Sequence, residues 1–158
     1  MSRFEEAITI VLQHENGYIH DPDDPGGETN FGLSHRTYPY LDIKGLTRDQ
    51  AIEIYKRDWW DPFPMYDLLP HPEVAIKLFD LAVNMGTLQA VKLLQRAMRA
   101  TCGAILEEDG RVGPKTWEAI AWSDGHCLLA VLKAEAAHFY RLLNKPKYLA
   151  GWLERVYS

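Results

Sequence analysis

HENGYIHDPDDPGGETNFG, residues 14–32, is the stretch on which the reading of this chain turns. Before it lies a helical pattern. Phe4, Ala7, Ile8, Val11 and Leu12 recur at helical spacing over residues 3–14, and Ser2 with Glu5 three residues on is a capping-box start. The next position on the apolar stripe is Glu15, and Asn16-Gly17 then stops the helix. A carboxyl is therefore placed where the face turns inward, at the negative end of the helix dipole. Both circumstances disfavour the ionised form. A carboxylic acid kept protonated near neutral pH can serve as a general acid. The plainer alternative is a solvated residue at a helix end.

The residues that follow favour chemistry. Asp21, Asp23, Asp24 and Glu28 crowd into a short loop that Pro22 and Pro25 stiffen, and Gly26-Gly27 gives it a turn. Thr29, Phe31 and Leu33 alternate with Asn30 and Gly32, a short strand pattern. Calcium is the competing explanation for the acids. An EF-hand loop counted from Asp21 would need a ligand where Pro25 stands and a glutamate where Gly32 stands, so that template fails. The histidines form no H-E-x-x-H pair, and no metal or other cofactor is expected.

Glu-Asn-Gly-Tyr at 15–18, followed by Asp-Pro-Asp-Asp-Pro-Gly-Gly-Glu-Thr-Asn-Phe-Gly-Leu at 21–33, resembles the E-G-G-Y…D-P-x-D-x-G-G-x-T-x-x-G-I signature of the family 108 glycoside hydrolases. Asn16 stands where that family usually has Gly. These are N-acetylmuramidases found as phage endolysins and secretion activators. The resemblance implies a mainly α, lysozyme-like helical fold whose small β-hairpin carries part of the active site. It implies Glu15 as the acid, and Asp24, or less readily Asp23, as the group that stabilises positive charge at the sugar or orients a water. Thr29 would help to position that water. Phage-type helical lysozymes show a similar order of Glu, Asp nine positions on, and Thr further along, with their Thr typically one position later than here.

Further along the chain, Thr47 with Gln50 opens a helix expected from Arg48 to about Trp59, with Ala51, Ile52 and Tyr55 inward. Tyr38 and Tyr40, ahead of it, either line the cleft or pack, and packing is the favoured reading. Trp59-Trp60-Asp61-Pro62-Phe63-Pro64 is an aromatic turn that either plugs the core or walls a sugar site, which makes Trp60 a candidate for substrate binding alongside Tyr18. A helix from Pro72 to about Met85 carries Asp80 and Asn84 on one polar strip. The segment Asp80-Leu81-Ala82-Val83-Asn84-Met85-Gly86 is similar to the family's D-x-A-V-N-x-G. That implies glycan contacts for Asp80 and Asn84, although a plain polar face fits equally. Helices follow from Thr87 to about Ala100, from Pro114, from Cys127 to Leu143 and from Pro146 to Tyr157. Asp109–Thr116 and Gly151–Val156 resemble the family's C-terminal region, described as peptidoglycan-binding.

Composition bounds the rest. With 158 residues and 47% hydrophobic content the chain can bury a core without disulfides. A net charge of −5 does not suit a nucleic-acid binder. No apolar run is long enough to span a membrane, so no membrane insertion is expected. Cys102 and Cys127 lack metal spacing, and Cys127 reads as a buried structural thiol. No linker rich in Pro, Gly or Ser divides the chain. A catalytic region 1–80 and a helical region 81–158 packed on it are therefore expected to form one compact unit, a monomer. No signal peptide is evident, which suits an enzyme held in the host cytoplasm until a holin releases it to the wall in the periplasm. The function expected is endolysin-type hydrolysis of the β-1,4 bond between N-acetylmuramic acid and N-acetylglucosamine, with peptidoglycan glycan strands as partner. The alternatives are a lytic transglycosylase working through Glu15 alone and a non-catalytic peptidoglycan-binding or secretion-accessory protein.

Overall fold

The computed structural model describes residues 1–15, 17–22 and 27–158, which group into two compact units, Met1–Phe63 and Pro64–Ser158. The fold is mainly helical with one small antiparallel sheet.

In the first unit, α1 (Arg3–His14) begins as its sequence requires. The Ser2 hydroxyl accepts from the Glu5 N–H, and the Glu5 carboxylate accepts from the Ser2 N–H at 2.6 Å. Phe4, Ala7, Ile8 and Val11 are buried. The helix ends at Glu15, whose backbone turns extended (φ −86°, ψ 121°) while its N–H still donates to the Val11 carbonyl. Three short strands follow, β1 (Ile19–His20), β2 (Glu28–Asn30) and β3 (Leu33–Ser34), paired antiparallel in that order. Ile19 lies opposite Thr29, Thr29 opposite Ser34, and Asn30 opposite Leu33. The single strand expected over Thr29–Leu33 is thus folded back on itself. Phe31 and Gly32 form a two-residue turn, both at positive φ (51° and 79°), the primed geometry that matches strand twist. The buried Asn30 amide donates to the carbonyls of Ile43 (3.0 Å) and Leu46 (3.4 Å), which ties the sheet to the following loop.

The expected helix 48–59 is α2 (Arg48–Tyr55) running into a π-helical turn, Lys56–Trp60. Thr47 and Gln50 form the anticipated capping box. Continued α-helical spacing from Ala51 and Tyr55 would have brought Trp59 inward. The wider turn, closed by the Asp61 N–H on the Lys56 carbonyl, brings in Trp60 instead. Trp60 is 1% exposed and meets the Phe4 ring edge to face at 5.4 Å.

In the second unit, α3 (Met65–Leu68) leads to α4 (Pro72–Met85), which packs against α3, α5 (Thr87–Cys102) and α7 (Gly125–Leu142). Every residue of α4 from Val74 to Ala82 is buried, Asp80 of the expected polar strip included. The helix is central because its polar residues are matched. The Asp80 carboxylate accepts from Arg155 Nε at 2.8 Å and from Lys77 Nζ at 3.2 Å, and Lys77 also donates to the Arg155 carbonyl at 2.9 Å. Burial pulls the Lys77 ammonium below its ordinary pKa against the pull of Asp80. Arg155 sits on α8 (Pro146–Tyr157), so this cluster fastens the last helix to α4.

The loop between α5 and α6 (Pro114–Trp122) is held by the buried Gln95. Its amide donates to Asp109 Oδ1 and the Arg111 carbonyl, and its oxygen accepts from the Gly110 N–H. Helix α7 starts two residues earlier than expected, capped by Asp124, which accepts from the Cys127 N–H at 2.8 Å. Cys127 is exposed, which corrects the expectation of a buried thiol: the apolar face of α7 begins at Leu128. Tyr40, read as a packing residue, is 99% exposed because the loop around it turns its ring outward. No described helix is long and apolar enough to cross a membrane.

Candidate active site

Glu15 is half-buried where α1 gives way to the loop before the sheet. The Phe31-Gly32 turn is built against it. A Cβ added to Gly32 would lie 2.7 Å from Glu15 Cδ, 2.8 Å from Glu15 Oε2 and 2.6 Å from the Tyr55 hydroxyl oxygen. A methyl there would have to displace one of these two side-chain ends, and the φ of +79° independently favours glycine. The Tyr55 hydroxyl donates to the Phe31 carbonyl at 3.0 Å. The end of α1, the tip of the hairpin and the end of α2 therefore converge on one point, with the Glu15 carboxyl at its edge.

Behind Tyr55 lies a second set of contacts. Its ring tilts against Trp59 at 6.3 Å. The Trp59 indole N–H donates to the Tyr38 hydroxyl, which donates to Asp58, both at 3.0 Å. Burial, with Asp58 adding to it, raises the Tyr38 phenol above its ordinary pKa. The Arg57 guanidinium, through paired hydrogen bonds, and the Tyr38 hydroxyl hold the Asp58 carboxyl below its ordinary value.

On β2 the side chains alternate. Asn30 is turned into the protein, so Thr29 faces the other side of the strand and is half-buried. Tyr18 is exposed; its hydroxyl donates to Glu28 at 2.9 Å and the Lys44 ammonium stands over its ring. Asp24 and Asp23 lie outside the described residues.

Two of the residues singled out for glycan contact are corrected by their burial. Trp60 is a core residue whose ring is covered by Phe4, so it has no face to offer a sugar. Asp80 is 0% exposed and its carboxylate is held by Arg155 and Lys77. Asn84 is half-buried on α4. Sequence reasoning counted Tyr55 as a core aromatic and passed over its hydroxyl. A buried tyrosine whose oxygen must find a partner was the available signal. Two surface cavities, of about 480 and 660 Å³, lie in the second unit around Ile105, Leu106 and Lys115, and neither includes Glu15.

The model of glycosyl hydrolase 108 matches residues 8–86, from within α1 to the glycine that ends α4. The chain belongs to this family. A second model, described as a predicted peptidoglycan domain, matches residues 89–157. Among solved structures, that of Brucella abortus SagA is similar, with 28% identity and a TM-score of 0.78 over 97% of this chain and 88% of that one. No curated protein sequence matches. This family 108 chain is accordingly a glycoside hydrolase of lysozyme type, with a mainly α, lysozyme-like fold and a peptidoglycan-hydrolysing role.

Proposed function

We propose that this enzyme hydrolyses the β-1,4 bond between N-acetylmuramic acid and N-acetylglucosamine, with Glu15 as the proton donor. The observation that carries the reading is the placement of Glu15. It is half-buried at the end of α1, with its carboxyl occupying the space beside Gly32 of a tight hairpin turn where a side chain would otherwise begin. A donor at the end of a helix beside a tight turn has a restricted range of positions, as proton transfer to a bound glycosidic oxygen requires. Glu15 gives its proton to the bridging oxygen as the bond to the muramic-acid C1 breaks, and positive charge develops on that sugar. Asp24 is assigned the second role, stabilising this charge or orienting the water that adds to C1. Thr29, on the strand face opposite Asn30, is assigned to hold that water. Tyr18 and Asn84 are assigned to glycan contact. The family match supports action on the cell wall, and an endolysin role in phage lysis is the biological setting proposed.

Mass spectrometry of digested peptidoglycan tests this reading directly. Hydrolysis leaves muropeptides with a reducing-end N-acetylmuramic acid. Anhydro-sugar ends would assign a transglycosylase instead, reducing-end N-acetylglucosamine would move the cut to the other bond, and an intact wall would remove the catalytic assignment.

A further inference from the structure

We propose that Tyr55 is the positioning residue for Glu15: its hydroxyl fixes the hairpin tip that holds the acid in place. This inference rests on Glu15 being the proton donor. Four observations meet in it. Tyr55 is fully buried, at 0% exposure, and belongs to a different element from either the acid or the hairpin. Its hydroxyl proton is given to the Phe31 carbonyl at 3.0 Å. Phe31 itself has a φ of 51°, a left-handed conformation that is unfavourable for a non-glycine residue and persists only where its surroundings hold it. The Tyr55 oxygen and the Glu15 carboxyl close the same space beside Gly32: a Cβ there would lie 2.6 Å from the one and 2.8 Å from Oε2 of the other.

Tyr55 is itself held. The π-helical turn sets Trp59 against its ring, and Trp59 is fixed through Tyr38 to Asp58. The chain of contacts runs Asp58, Tyr38, Trp59, Tyr55, Phe31 carbonyl, Gly32, Glu15. The π-turn suits this arrangement: it lets Trp60 fill the core while Trp59 stays beside Tyr55. Loss of the Tyr55 hydroxyl frees the turn, and the turn is what Glu15 rests on. The acid then samples positions away from the bond to be cleaved, while substrate binding, made elsewhere along the glycan, is unaffected.

The test uses the full chain acting on soluble glycan-strand fragments, well below the melting temperature. Tyr55→Phe removes one oxygen and keeps the ring. The expected result is a fall in kcat of about 10- to 100-fold with KM unchanged, the range that misplacement of a reacting group by about 1 Å produces. A residue that only packs would lower the melting temperature and leave kcat at the assay temperature as in wild type, and that outcome overturns the proposal. Should Tyr55→Phe fail to fold, Gly32→Ala decides. It keeps the hydroxyl and pushes a methyl between Tyr55 and Glu15, and a wild-type kcat from it overturns the proposal equally. Glu15→Gln is assayed in parallel. Activity in that variant removes the underlying reading whatever Tyr55 does. An inactive Glu15→Gln beside a wild-type Tyr55→Phe removes the Tyr55 inference alone.

Discussion

Glu15→Gln keeps the shape and reach of the side chain and has no carboxylic proton to give. Turnover of peptidoglycan is expected to fall by two or more orders of magnitude, at the level of about 10²–10⁴ that a positioned proton donor contributes. The melting curve should change little, because Glu15 is only half-buried and caps α1 through its backbone N–H. Clearing of a cell-wall suspension at wild-type rate would contradict the assignment. Asp80 makes the opposite case at the same scale. It has the residue type and spacing of a binding-site acid, yet it is fully buried between Arg155 and Lys77. Asp80→Ala leaves two cations without their counter-charge, which costs about 3–5 kcal/mol. Urea denaturation should show that loss. Asp80→Asn, which keeps hydrogen-bonding atoms, should lose less. A KM raised in Asp80→Asn with unchanged stability would restore a role in glycan binding.

Among the elements, α5 and the loop after it show how charge acts where burial is partial. Hydrogen bonds from Arg96, and then the charges of Arg96 and Arg99, hold the Glu108 carboxyl below its ordinary value of 4.5. A carboxylate with a depressed folded-state pKa adds stability above its unfolded pKa, and that stability is lost as pH falls through the folded value. The expected consequence is acid destabilisation setting in below about pH 4.5, to which Glu108 contributes. Glu108→Gln should be less stable than wild type at pH 7 and lose less on acidification. Parallel stability–pH curves for the two would show that Glu108 plays no such part. The pair is partly exposed, so high salt should narrow the difference between them.

For the whole molecule, the family boundary and the packing boundary differ. The glycosyl hydrolase 108 match ends at residue 86, but α4 lies in the second unit and packs on α5 and α7. A fragment 1–86 would carry α4 with its buried face, Val74 through Ala82, stripped of those partners. It is expected to be insoluble or unfolded and to lack lytic activity. A soluble, cooperatively melting fragment 1–86 that clears peptidoglycan would show a self-sufficient catalytic region instead. A cut at residue 63 separates the compact units and is the natural control.

The sequence by itself determined the local structure. Capping boxes at Ser2 and Thr47, prolines at helix starts and the glycines after α4 and α5 signal element ends through near-neighbour hydrogen bonds and backbone sterics, so they can be read without tertiary information. The family signature around Glu15 was legible for the same reason: it is a contiguous run. What only the tertiary structure decided was where side chains with two plausible fates ended up. Trp60 went to the core because a π-turn shifted the register by one residue, and such rare turns are set by packing, here of Trp60 on Phe4, which local spacing does not encode. Asp80 became buried because Arg155, 75 positions away, arrived to pair with it. Gly32 and Tyr55 come to the same point as Glu15 for a related reason: the turn at Phe31-Gly32 breaks what alternation reads as one strand, and three elements converge there through packing that no local spacing encodes.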